Sequence, residues 1–111
     1  MYKRQALIVD TDELALDTSR AINLALIASE TLTNAMKYAF PDGRQGTIRV
    51  DCHADGEAAT LTIADDGMGF AATSREGALG LRLVRTLAKA IGGEADIDGT
   101  NGTRIEVRFS L

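Results

Sequence analysis

Apolar positions change their period several times along this chain, and each change marks an element. Two short apolar runs, Ala6-Leu7-Ile8-Val9 and Leu14-Ala15-Leu16, flank Asp10-Thr11-Asp12 and predict a hairpin or two short strands over 6–17. Asp17, Thr18 and Ser19 then offer side-chain oxygens to helix N–H groups. From Ala21 the positions Ile22, Ala25, Leu26, Ser29, Leu32, Thr33, Met36 and Ala39 recur at three and four, the spacing of one helix face. Pro41, the only proline, is expected to stop that helix, and Pro41-Asp42-Gly43 to turn the chain.

Strict alternation follows. Ile48, Val50, Cys52 and Ala54 fall on one phase, and Arg49, Asp51 and His53 on the other. Asp55-Gly56 turns the chain, and Ala59, Leu61 and Ile63 alternate again up to Asp65, which predicts a hairpin with one buried face. Residues 70–78 have no period and read as a short flexible loop. Leu79, Leu83, Val84, Leu87, Ala88 and Ile91 form the apolar stripe of a second helix, ended by Gly92-Gly93. Ala95 and Ile97, a turn over 98–102, and then Ile105, Val107, Phe109 and Leu111 predict a closing hairpin. Roughly four to six strands against two helices predict an α+β fold, a two-layer sandwich with a mixed sheet packed against helices.

Composition narrows the class. A chain of 111 residues, 45% hydrophobic and 25% charged, makes a single domain with one core. The net charge of −4 argues against a nucleic-acid partner, whose footprint is usually basic, but leaves room for a phosphate ligand at a local positive site. One cysteine, Cys52, excludes an internal disulfide and any multi-cysteine metal site. No apolar run is long enough to span a bilayer, and Met1-Tyr2-Lys3-Arg4-Gln5 does not open a signal peptide. A cytoplasmic chain without direct membrane contact is the expectation. It is also expected to be a fragment of a larger protein, because it begins and ends on strand patterns.

Two groups of residues carry chemistry. Glu30, Asn34 and Lys37 stand at i, i+4 and i+7, on a helix face distinct from the strongly apolar one. An amide oxygen there suits Mg²⁺, the lysine suits phosphate, and the glutamate can polarise an attacking nucleophile; a solvated polar face is the plainer alternative. Asp65-Asp66-Gly67-Met68-Gly69 ends a strand in a glycine turn. Such a turn lets backbone approach a flat or charged ligand, while its lead carboxylate accepts from an amino group; a simple strand-to-loop turn is the alternative. Neither a phosphate-cradling GxxxxGK[ST] loop nor a GxGxxG motif is present. Gly77-Ala78-Leu79-Gly80-Leu81-Arg82 opens the second helix, where free N–H groups favour phosphate oxygens. Gly102-Thr103 adds a flexible point beside a hydroxyl. His53 reads as an exposed strand histidine, Cys52 as a small core residue, and Arg75 and Arg82 as phosphate contacts or solvated positions.

In this order these elements resemble the GHKL ATPase superfamily, and within it the ATP-binding catalytic domain of bacterial sensor histidine kinases. Glu30 to Phe40 resembles the N-box, Asp65 to Gly69 the first glycine box, Gly77 to Val84 the second, and Gly102-Thr103 the last small motif. Asn34 to Pro41, Gly80 to Val84 and Gly92-Gly93 look most like the short-lid kinases. The resemblance covers about residues 12–111. It implies that Asp65 contacts the adenine amino group and that Gly67 and Gly69 let backbone pass the base. Asn34 would ligate Mg²⁺, Lys37 and Tyr38 approach the phosphates, and Glu30 help activate the phosphoryl acceptor. Residues 70–79 would form the ATP lid, including Gly77 and Leu79, with Gly80 and Leu81 at its hinge and Thr103 beneath the adenine. Ala78 stands where the family usually has glycine, which bears on lid closure.

The implied cofactors are ATP and Mg²⁺. The implied partner is a histidine-containing dimerisation domain, in cis or in trans, with a response regulator reached indirectly. Two other functions fit the same residues less well: an anti-sigma-type serine kinase, and a degenerate, non-catalytic docking domain.

Overall fold

The computed structural model describes residues 5–36, 46–67, 75–99 and 102–111. Five strands and two helices alternate as β1 (Gln5–Thr11), α1 (Thr18–Asn34), β2 (Gly46–Asp55), β3 (Ala58–Asp65), α2 (Arg75–Ala90), β4 (Gly93–Asp98) and β5 (Arg104–Ser110). The strands form one sheet in the order β1-β2-β3-β5-β4. β1 runs parallel to β2, and every other pairing is antiparallel. This is the expected α+β arrangement with a mixed sheet.

The β2–β3 hairpin forms as the alternation dictates. Ile48, Val50 and Cys52 on β2 and Ala59, Leu61 and Ile63 on β3 are buried, and Gly56 turns the chain at φ +67°. β5 adds Ile105, Val107 and Phe109 to the same face. Onto it pack Ile27 and Ala35 near the end of α1, and Leu81, Val84, Ala88 and Ile91 from α2 and its end. Gly92, at φ +75°, ends α2 as expected.

The structure corrects three expectations about the elements. Residues 6–17 hold one strand, not a hairpin: β1 finds its partner in β2, about forty residues away, and 12–17 cross to α1 without pairing as a strand. Leu14 and Leu16 instead pack against the edge of the core. α1 begins at Thr18 with Asp17, one of the three residues expected to offer a cap, as its N-cap: the carboxylate accepts from the Arg20 N–H at 3.2 Å.

The second correction concerns the buried face of α1. Ile22 and Leu26 are 55% and 49% exposed, while Ile27, Thr31, Asn34 and Ala35 are buried. Apolar residues occupy two neighbouring stripes of this helix, and spacing alone does not choose between them. Thr31 is admitted to the interior because its hydroxyl donates to the Ile27 carbonyl at 2.8 Å. The third correction is that α2 starts at Arg75, so 75–78 are helical and not loop. Arg, Glu and Ala favour a helix without supplying an apolar face, so the amphipathic stripe begins a turn later than the helix. Leu83 also lies outside the buried stripe, and Ala54 and Leu111, read as inward-facing, are exposed. The helix-stopping role of Pro41 and the turn at 41–43 lie outside the described residues.

Candidate functional site

The second half of α1 meets the first half of α2 through polar groups. A β-carbon built on Gly80 would lie 2.6 Å from Asn34 Nδ2 and 2.7 Å from Glu30 Oε2. Any side chain at 80 would displace both, so glycine here lets helix backbone approach two functional side chains. Asn34 is only 8% exposed, yet its Nδ2 has no hydrogen-bond partner among the described residues. A buried donor left unpaired costs roughly 1–3 kcal/mol. Such a cost is tolerated where a ligand makes use of the group.

A second cluster forms where β3 ends. Asp65, 8% exposed, donates its backbone N–H to the Thr103 carbonyl at 2.9 Å. Its Oδ1 accepts from Gly67 N–H at 2.9 Å and from Thr103 N–H at 3.3 Å. Neither bond uses Oδ2. Burial pushes the carboxyl up from 3.8; the two N–H bonds pull it partly back, and neighbouring Asp66 pushes it up again. Gly102, at φ +78°, passes so close that a β-carbon there would collide with the Asp65 carbonyl oxygen. Asp66 ties down the other side, exchanging bonds with Thr47 through Thr47 N–H to Oδ1 at 2.8 Å and Asp66 N–H to the Thr47 carbonyl at 3.2 Å. The sequence reading passed over this strap, although a second carboxylate directly after Asp65 is its visible trace.

The structure therefore gathers Glu30, Asn34 and Gly80 in one group, and Asp65, Gly67 and Thr103 in another. Leu81 is buried in the apolar core and acts there as a packing residue. Gly77 and Leu79 lie in the first turns of α2, so the segment expected as lid is helical from 75 onward. Lys37, Tyr38 and Gly69 lie outside the described residues. His53 is exposed and Cys52 buried, as expected.

A mixed sheet backed by two helices, with polar groups converging at the end of its central strand, defines an α+β ligand-binding domain. The family described as histidine kinase-like ATPase domain matches residues 5–109, and the chain belongs to that family. Blue-light-activated histidine kinase 2 of Erythrobacter litoralis is 32% identical over 108 residues, which cover 93% of this chain and 31% of that protein. The sensor histidine kinase PdtaS of Mycobacterium tuberculosis is 30% identical over 93 residues, covering 80% and 18%. The solved histidine kinase domain of the Erythrobacter litoralis EL346 blue-light-activated kinase superposes with a TM-score of 0.86 at 31% identity, over 98% of this chain and 52% of that one. Acinetobacter baumannii AdeS, at 16% identity and a TM-score of 0.75, shares the fold. The chain is thus a catalytic domain of the histidine kinase ATPase kind, which implies use of a nucleotide. It spans about a third or less of the curated relatives named here. Among the described residues no helix is long and apolar enough to cross a membrane.

Proposed function

We propose that this domain binds Mg²⁺-ATP and donates the γ-phosphoryl group to a histidine on a separate dimerisation domain, as one step of two-component signalling in the cytoplasm. The observation that carries this reading is the buried amide of Asn34, whose Nδ2 has no hydrogen-bond partner among the described residues, beside Glu30 and against the bare backbone of Gly80. A domain retained only for docking has no use for a buried polar side chain that its own fold leaves unsatisfied.

In this reading Asp65 reads the base. An ionised carboxylate only accepts hydrogen bonds, and Oδ2 is the oxygen that Gly67 and Thr103 leave for an exocyclic amino group. Adenine presents such a donor where guanine presents a carbonyl oxygen, so Asp65 selects adenine. The backbone at Gly67 and Gly69 gives the flat ring room. Lys37 and Tyr38 approach the phosphates, together with the helix N–H groups preceding Gly80. Asn34 would offer its amide oxygen to Mg²⁺, which would neutralise phosphate charge, and its unpaired Nδ2 as a donor to a phosphate oxygen. Glu30, one helical turn before Asn34, helps activate the acceptor imidazole, whose unprotonated ring nitrogen attacks the γ-phosphorus with its lone pair while ADP leaves. Catalysis is then largely positioning and charge neutralisation.

Calorimetric titration of the chain with ATP, with and without Mg²⁺, tests the first half. Saturable binding that Asp65→Ala abolishes supports the reading, and a well-folded chain that ignores millimolar ATP overturns it. For the second half, the phosphorylated partner is treated with acid. Loss of label marks phosphohistidine, whereas retention marks a serine kinase.

A further inference from the structure

The face of the sheet turned away from the helices carries a second cluster of polar side chains. In the parallel register Asp10 pairs with Asp51, and the Asp12 N–H continues that ladder by donating to the Cys52 carbonyl at 2.8 Å. Asp10, Asp12, Asp51 and His53 therefore emerge together, on the phase opposite to buried Val50 and Cys52.

We propose that Asp10, Asp51 and His53 form a site for a divalent transition-metal ion of the Zn²⁺ type, which ties edge strand β1 to β2. One ligand atom from each residue lies within 4.8 Å of the other two. His53 Nε2 stands 3.6 Å from Asp10 Oδ2 and 3.9 Å from Asp51 Oδ1. Zinc bonds of about 2.0–2.2 Å in tetrahedral array put neighbouring ligand atoms about 3.4 Å apart. The two His53 spacings exceed that by about 0.2 and 0.5 Å, the two carboxylates lie within 4.8 Å of each other, and all three side chains reach the solvent, where an ion arrives.

The orientation of the imidazole favours a metal. Its Nδ1 lies 3.2 Å from Asp12 Oδ1, and Asp12 is itself fixed because Oδ2 accepts from the Ala54 N–H at 2.9 Å. That contact places the proton of neutral His53 on Nδ1 and turns the Nε2 lone pair towards Asp10 and Asp51. A carboxylate behind the ligating histidine is the usual support of a metal-bound imidazole. Charge agrees with this. Among the described residues Asp10, Asp12 and Asp51 face one guanidinium, Arg49, whose Nε donates to Asp51 Oδ2 at 2.9 Å and Oδ1 at 3.2 Å and which lies 3.7 Å from Asp10 Oδ2. Three carboxylates against one cation leave two negative charges for a divalent ion to neutralise. One nitrogen and two oxygen ligands suit Zn²⁺ or a neighbouring first-row ion better than Mg²⁺, which separates this site from the nucleotide's own cation.

The test is titration of the tag-free chain with Zn²⁺ at pH 7.5 without nucleotide, followed by calorimetry, with Co²⁺ absorption as the reporter of coordination. The chain has one histidine and one cysteine, and the cysteine is buried on the other face, so the assignment is direct. Binding of one ion per chain is expected, with a rise in melting temperature. Asp12→Asn is expected to weaken binding about 10-fold or more, as loss of a supporting carboxylate does, and His53→Ala to abolish it. Asp55→Asn, at the end of β2, is expected to leave it unchanged. If folded wild-type chain shows no saturable binding at millimolar Zn²⁺, or if His53→Ala binds as well as wild type, the site does not exist and His53 serves only as an ion-pair partner for its aspartates.

Discussion

Gly80 and Asn34 are in backbone-to-amide contact across the α1–α2 interface, and the missing β-carbon of one is what lets the other stay buried. Gly80→Ala therefore sets two effects against each other. Alanine improves helix propensity by up to about 1 kcal/mol, whereas forcing a methyl group into a filled space costs about 1–3 kcal/mol. A net loss near 1 kcal/mol is expected in urea denaturation, with ATP affinity falling about 10-fold or more. An unchanged affinity would show that the contact is packing alone.

Asn34→Ala separates function from folding more sharply. Removing a buried donor that has no partner among the described residues relieves a cost of about 1–3 kcal/mol, which offsets the small packing loss. Stability is expected to stay within about 1 kcal/mol of wild type. Phosphotransfer, measured with the acceptor domain, is expected to fall about 100-fold or more, as for loss of one charge-stabilising contact. A large loss of stability would instead make Asn34 a structural residue.

Asp65→Asn is expected to stabilise the fold at neutral pH while weakening nucleotide binding. Burial raises the carboxyl above its ordinary value of 3.8, so the folded state holds the proton more tightly than the unfolded chain. The associated stability is complete below about pH 4 and is lost as pH rises through the raised value. The asparagine variant has no such dependence and keeps an oxygen for the Gly67 and Thr103 N–H groups. Its advantage in melting temperature should be largest at pH 7 and shrink on acidification. An advantage that grows on acidification would contradict the assigned shift.

Gly102 and Gly56 share a left-handed backbone but not their surroundings. Gly56 has no atom within 4 Å of a built β-carbon, whereas Gly102 faces the Asp65 carbonyl. Gly56→Ala should cost about 1–2 kcal/mol, the torsional penalty alone. Gly102→Ala adds a collision with backbone and should cost clearly more, with loss of ATP binding because Thr103 moves with it. Equal losses in parallel denaturation curves would remove Gly102 from the site.

Where a pattern was local, the sequence was a good guide. Asp55-Gly56 between two alternating runs led directly to the β2–β3 hairpin, and Gly92 marked the end of α2. Periodicity misled where a polar face turns inward. On α1 the stripe through Thr31 and Asn34 is buried beside Ile27, while more apolar Ile22 and Leu26 face solvent. Glu30, Asn34, Gly80 and Asp65 could be named from their motifs, but their mutual contacts required the tertiary fold. The Asp10–Asp51–His53 group was hidden for another reason. Asp51 and His53 alternate visibly on β2, but only the parallel pairing of a strand some forty residues earlier brings Asp10 and Asp12 alongside.

That pairing also has a kinetic side. β2 and β3 meet across a turn of two residues, and hairpins of this kind close within about 1–10 μs. β1 reaches β2 only after α1 and the segment that follows it have been drawn into a closed loop, an entropic cost that non-local contacts repay late. β5 joins β3 across a stretch at least as long, but β1 stands at the edge of the sheet, paired on one side only and largely exposed. In hydrogen exchange its amides should open at a lower free energy than those of β3 and β5, so the sheet sheds its parallel edge while the antiparallel centre is still intact.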